Sequence, residues 1–190
     1  MKNIFMVLVC LVVSFSFAAQ ASREKDSHEH GAANVMLAME GEKLQLNFEV
    51  PSESLIGFEH FPKSQDQRWY FNEAIKSLLE PSKLFSIPAD AECLLVGINV
   101  SQSLFAAKDE HGHEEKDEHG HDESEKSEIH SEFISKYHWN CEHLDEIDSI
   151  GTQLMNIFPR IEEIRVRWIT KNNQGSIELE SKDDRIKGWK

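Results

Sequence analysis

The sequence predicts an α+β domain, an antiparallel sheet of about six strands with two helices in the order ββαβ–βαββ. Three observations predict it. Several stretches alternate apolar and polar residues, two stretches carry apolar residues at helical spacing, and Gly, Pro or Asn mark most of the boundaries.

Residues 22–31 are polar, and the first element follows them. Val35, Leu37 and Met39 alternate, Gly41 marks a turn, and Leu44, Leu46, Phe48 and Val50 alternate again, a β-hairpin ended by Pro51. Ser64 and Gln67 make a capping box. Phe71, Ala74, Ile75 and Leu78 then fall on one helical stripe, which Pro81 stops. A strand runs over 93–105 with Leu94, Val96, Ile98 and Val100 on one face, and another over 129–141 with Phe133, Tyr137 and Trp139 on one face. Ile147, Ile150, Leu154 and Ile157 have the spacing of a three-turn helix ending near Pro159. Ile164, Val166 and Trp168 make a strand, 172–175 a turn, and Ile177 with Leu179 the last strand. The β-α-β-β-α-β middle fits a ferredoxin-like arrangement, with one objection. That fold occupies both edges of its first strand, whereas the 44–50 strand must also pair with its own hairpin partner.

The start of the chain predicts export. Lys2, the apolar run 4–17 and the small residues of Ala19-Gln20-Ala21 form a signal peptide over 1–21, leaving a single domain over 22–190. The run is too short to span a bilayer, and no later stretch reaches about 18 apolar residues, so no stable membrane insertion is expected after cleavage. Losing Lys2 leaves 19 basic against 34 acidic residues, net −15. That balance excludes nucleic acid and anionic lipid as partners and favours cations. Cleavage also removes Cys10, and the remaining pair, Cys93 and Cys141, reads as one disulfide in an oxidising compartment. If the two long strands pair with Cys93 opposite Cys141, the charged segment between them lies at the tip. Their apolar residues then face opposite sides of the sheet, so either both faces are covered or a bulge intervenes.

The charged segment carries the chemistry. Residues 108–115 read KDEHGHEE and 116–123 read KDEHGHDE, a tandem repeat holding His111, His113, His119 and His121 in a disordered loop over about 106–128. Glycine between two histidines leaves the backbone free to bring both imidazoles to one ion, and four nitrogens suffice for tetrahedral zinc. Copper and nickel also suit imidazole. Ten carboxylates between Asp109 and Glu128 add oxygen donors and attract cations. A merely solubilising insert is the plain alternative, but acidic linkers rarely concentrate His-X-His pairs. His28 and His30 echo the loop, and could equally be tail residues. His60 alone reads as structural, as do His138 and His143. Glu128, His130 and Glu132 share one face of a strand, either as a preformed site or as its wet face. No His-Glu-x-x-His, Gly-x-Ser-x-Gly, phosphate-binding glycine loop or Cys-x-x-Cys occurs, so no enzyme is expected.

Together the segments His28-Glu29-His30-Gly31, Leu55-Ile56-Gly57-Phe58-Glu59-His60, the His-Gly-His loop, His130-Ser131-Glu132-Phe133 through Cys141, Phe158-Pro159, Trp168-Ile169 and Gln174-Gly175 resemble the ZrgA-type periplasmic zinc-binding proteins. The resemblance covers nearly the whole chain after the signal. It implies a periplasmic, non-catalytic protein that captures Zn2+ and assists high-affinity zinc acquisition, with a zinc importer or its periplasmic binding protein as partner. It also raises His28, His30, His60, His130 and Glu132 as ligands in the folded domain. A periplasmic buffer or sensor of zinc, copper or nickel, without delivery to a transporter, is the alternative.

Overall fold

The computed structural model describes residues 30–104 and 131–190. The expected signal peptide, His28, His130 and the four loop histidines lie outside the described residues.

The predicted hairpin forms as β1 (Ala32–Glu40) and β2 (Lys43–Pro51), with Glu40 opposite Lys43 and Gly41 opening the two-residue turn. A short helix, α1 (Ser52–Ile56), follows at once. Gly57 ends it at φ +85°, in the left-handed region, with its N–H bonded to the Glu53 carbonyl at 2.8 Å. The capping box opens α2 (Gln65–Leu78), where Ser64 Oγ accepts from the Gln67 N–H and the Gln67 side chain accepts from the Ser64 N–H. Pro81 does not merely stop α2; it starts α3 (Pro81–Leu84), which runs into β3 (Phe85–Ser86). The long strands are β4 (Cys93–Gln102) and β5 (Glu132–Cys141). After them come β6 (Ser149–Thr152), α4 (Leu154–Ile157), β7 (Glu163–Thr170), β8 (Gln174–Leu179) and β9 (Arg185–Lys187).

Six strands make one mixed, mostly antiparallel sheet in the order β4-β5-β2-β1-β7-β8, and β3-β6-β9 make a second. Within the large sheet only the β1–β7 pair is parallel. Its inner face is apolar apart from the buried Ser135: Val35, Leu37, Leu44, Phe48, Phe133, Tyr137, Ile164 and Val166 point to a core completed by Leu78, Leu84, Ile150 and Leu154. The outer face is mostly polar, with Gln45, Lys136, His138 and Arg167 beside the exposed Met36, Leu94 and Ile169, close to the one-sided pattern open to antiparallel sheets. The described residues contain no helix long and apolar enough to cross a membrane.

Several expectations need correction. Four helices occur among the described residues rather than two, and only α2 exceeds five residues. The expected three-turn helix over 147–157 is instead β6 followed by the single turn α4. Gly151 explains the difference. It pairs with both Ser86 and Arg185 in the middle of the small sheet, and a Cβ there would stand 2.4 Å from Ser86 Oγ. The β-branched neighbours Ile150 and Thr152 also favour a strand over a helix. The face assigned to the 93–105 strand is broken by a bulge between Leu95 and Gly97. Leu94, opposite Asn140, lies on the outer face and is 70% exposed, whereas Val100, opposite Ser135, turns inward. The mismatch between the two arms is therefore relieved by one extra residue. Finally, the four strands of the ferredoxin-like expectation keep their relative order, but β1 stands between β2 and β7, where that arrangement would pair them directly. The hairpin partner is the intruder, and no helix longer than four residues covers the second crossover.

Candidate metal centre

Strand directions divide the candidate residues between two ends of the large sheet. The starts of β1, β5 and β7 and the ends of β2 and β4 share one end; the hairpin turn and the Cys93–Cys141 pair mark the other.

At the first end, α1 acts as a clip. The Gly31 N–H donates to Ser54 Oγ at 2.9 Å, and the Ser52 N–H donates to the Ser131 carbonyl at 2.8 Å. Residue 31, next to His30, and residue 131, next to His130, are thus tied to one turn of helix. The Gly31 carbonyl in turn accepts from the N–H groups of Glu162 and Glu163 at 2.8 and 3.1 Å. Arg160 spans this end, 3.8 Å from Glu53 and close enough to Gly57 that a Cβ there would meet its guanidinium at 2.9 Å. The root of the histidine-rich segment is closed by Ser103 and Glu132. The Ser103 N–H donates to the Glu132 carbonyl at 3.0 Å, and the Glu132 N–H donates to Ser103 Oγ at 2.9 Å.

His60 follows the clip. Its exposed ring stacks on the buried Phe58 ring at 5.3 Å, and Nδ1 lies 2.8 Å from the Phe61 carbonyl oxygen. A carbonyl can only accept, so Nδ1 carries the proton and Nε2 of the neutral ring keeps its lone pair. Metal-binding histidines are commonly oriented in this way, by a second bond through the other nitrogen. His30 is exposed. Glu132 is half-buried on the outer face of the sheet, in line with Ile134 and Lys136. The structure does not bring the donor atoms of His30, His60 and Glu132 into one group.

Among the described residues one group of three donors does converge, at the opposite end: Glu92, Glu142 and His143, with one donor atom from each all within 4.8 Å of one another. Their backbone is pinned from several sides. Cys93 and Cys141 are disulfide-bonded, the Glu142 N–H donates to the Glu92 carbonyl at 3.4 Å, and the His143 N–H donates to the Ala91 carbonyl at 3.1 Å. Sequence reasoning missed this group because its members are 50 residues apart and carry no motif. The one available signal was their place beside the two cysteines. His143, read as structural, is exposed, and so is His138.

The sequence matches the model of one family, described as ZrgA family zinc uptake protein, over residues 27–188. A search of curated proteins returned no match. The family match runs from before His28 to the residue after β9, and so takes in the clip, the histidine-rich segment and both ends of the sheet. The chain belongs to the ZrgA family of zinc uptake proteins.

Proposed function

We propose that the protein captures Zn2+ in the periplasm and assists its high-affinity acquisition, passing the ion to a zinc importer or to that importer's binding protein. The observation that carries this reading is the α1 clip. It holds the chain beside His30 and the chain beside His130 to a single helical turn, at the end of the sheet where the histidine-rich segment is rooted and where His60 presents a free Nε2. In this reading His111, His113, His119 and His121 collect ions, and His28, His30, His60, His130 and Glu132 supply donors on ordered chain, which lose less freedom when they bind. The protein is a carrier of metal and not a catalyst.

Two experiments test it. Deleting residues 108–126 lowers the number of zinc ions bound while leaving a cooperative unfolding transition, and His60→Ala with His130→Ala lowers it further. Zinc uptake left unchanged by both would sink the ligand assignment. Deleting the gene impairs growth under zinc chelation, and added zinc restores it; a strain that grows normally under chelation would point to a buffer or sensor instead.

A further inference from the structure

We propose that Glu92, Glu142 and His143 form a separate divalent-metal site, taking zinc or a similar first-row ion at the end of the sheet opposite Ser103 and Glu132. The proposal deepens the zinc-capture reading and stands on different residues. From Cys93↔Cys141 to Gln102↔Phe133 the β4–β5 ribbon runs nine residues along β4, roughly 30 Å at the rise of a strand. No ion can therefore be shared between the two ends.

The donor set is not a plain acidic patch. One imidazole and two carboxylates are the nitrogen and oxygen ligands of a three-ligand zinc site, in which water completes the coordination and leaves room for exchange. In a tetrahedral site, ligand atoms about 2.0–2.2 Å from zinc lie about 3.3–3.6 Å from one another. The three donor atoms already lie within 4.8 Å, so closing on an ion requires only modest side-chain movement. All three side chains are exposed and can make that movement, while the backbone beneath them is held by the disulfide and by the hydrogen bonds from Glu142 and His143. Two like charges meet here at the fastened end of two strands, an arrangement that disfavours the ion-free state and that a cation would relieve. A protein of a zinc uptake family supplies that cation as its cargo.

The test uses the full chain, with zinc for stoichiometry and Co2+ as a paramagnetic probe of location. Equilibrium dialysis should show one fewer zinc bound by His143→Ala and by the double variant Glu92→Gln, Glu142→Gln. Backbone amide signals of Ala91, Cys93, Cys141 and Leu144 should broaden with Co2+ in the native chain and stay sharp in His143→Ala, whose otherwise unchanged spectrum reports an intact fold. Broadening confined to residues near His30, His60 and Ser103 would overturn this site and leave the capture reading intact. Broadening confined to the disulfide end would support this site and overturn the ligand assignment at the other. An unchanged zinc count in both variants would also overturn it.

Discussion

Replacing Tyr137 by Phe should weaken the fold at neutral pH, by an amount that shrinks to nothing as the pH rises to about 11. Tyr137 is fully buried on the inner face of β5, and its hydroxyl donates to the Leu78 carbonyl at the end of α2 at 2.8 Å. Losing that bond inside the core costs about 1–2 kcal/mol. Burial pushes the phenol up from 10.0 to about 12, against a smaller opposing effect of the Ser135 hydroxyl. Below pH 10 the group is neutral in both states, so its contribution is fully present. Above pH 10 the unfolded chain releases the proton and the folded chain keeps it, and stability drains away as pH rises towards the folded value. The loss amounts to about 1.4 kcal/mol by pH 11. Urea unfolding of both proteins at pH 8 and pH 11 measures the effect. The native chain should lead by about 1–2 kcal/mol at pH 8 and by close to zero at pH 11. A lead that is constant across this range would refute the burial argument; no lead at pH 8 would refute the hydrogen bond.

Three further outcomes are expected. Replacing both Cys93 and Cys141 by Ser removes a cross-link spanning 48 residues and should cost about 2–4 kcal/mol, read as a lower midpoint in urea; a shift below about 1 kcal/mol would mean that strand pairing alone holds this end. Gly175→Ala would place a Cβ 2.5 Å from the Trp168 ring, which Gly188 and Trp189 hem in from other sides, and should destabilise by about 1–3 kcal/mol, with native-like stability as the contrary result. Zinc binding should weaken between pH 7 and pH 5 as imidazoles take up protons, and a flat profile in dialysis would assign the ions to carboxylates alone.

What the sequence revealed depended on how local the physics was. The hairpin around Gly41 and the Ser64–Gln67 cap are written within a few residues, and both formed as expected. The Cys93–Cys141 pairing was legible because only two cysteines follow the expected signal peptide, and the parity conflict between the arms correctly demanded a bulge or a second covered face. By contrast, the stripe Ile147, Ile150, Leu154 and Ile157 fits a helix by spacing alone, and only the approach of β3 and β9 around Gly151 makes its first half a strand. The position of β1 was hidden for a similar reason. Its alternation says that one face is buried, but not that β7, far along the chain, pairs with its other edge. The Glu92, Glu142 and His143 group was missed because a strand register, not a motif, assembles it, and its one signal was the pair of cysteines beside it. His28, His130 and the four loop histidines lie outside the described residues, so their reading still rests on the repeat and on the resemblance.

The insertion of β1 between β2 and β7 also bears on how the chain reaches its fold. The hairpin can close by itself, joining residues a few positions apart, but the parallel ladder on its other side joins Ala32 to Glu163 across 131 residues. Pairings of such long range form slowly, because loop closure must precede any gain from contact. Until β7 arrives, β1 is an open strand edge with a bare apolar face, the kind of surface through which incompletely folded chains stick to one another. A chain synthesised N-terminus first would therefore expose that edge until β7, residues 163–170, had been added. Trp189, whose indole N–H bonds to the Ile147 carbonyl at 2.6 Å, fastens the C-terminal segment only after that.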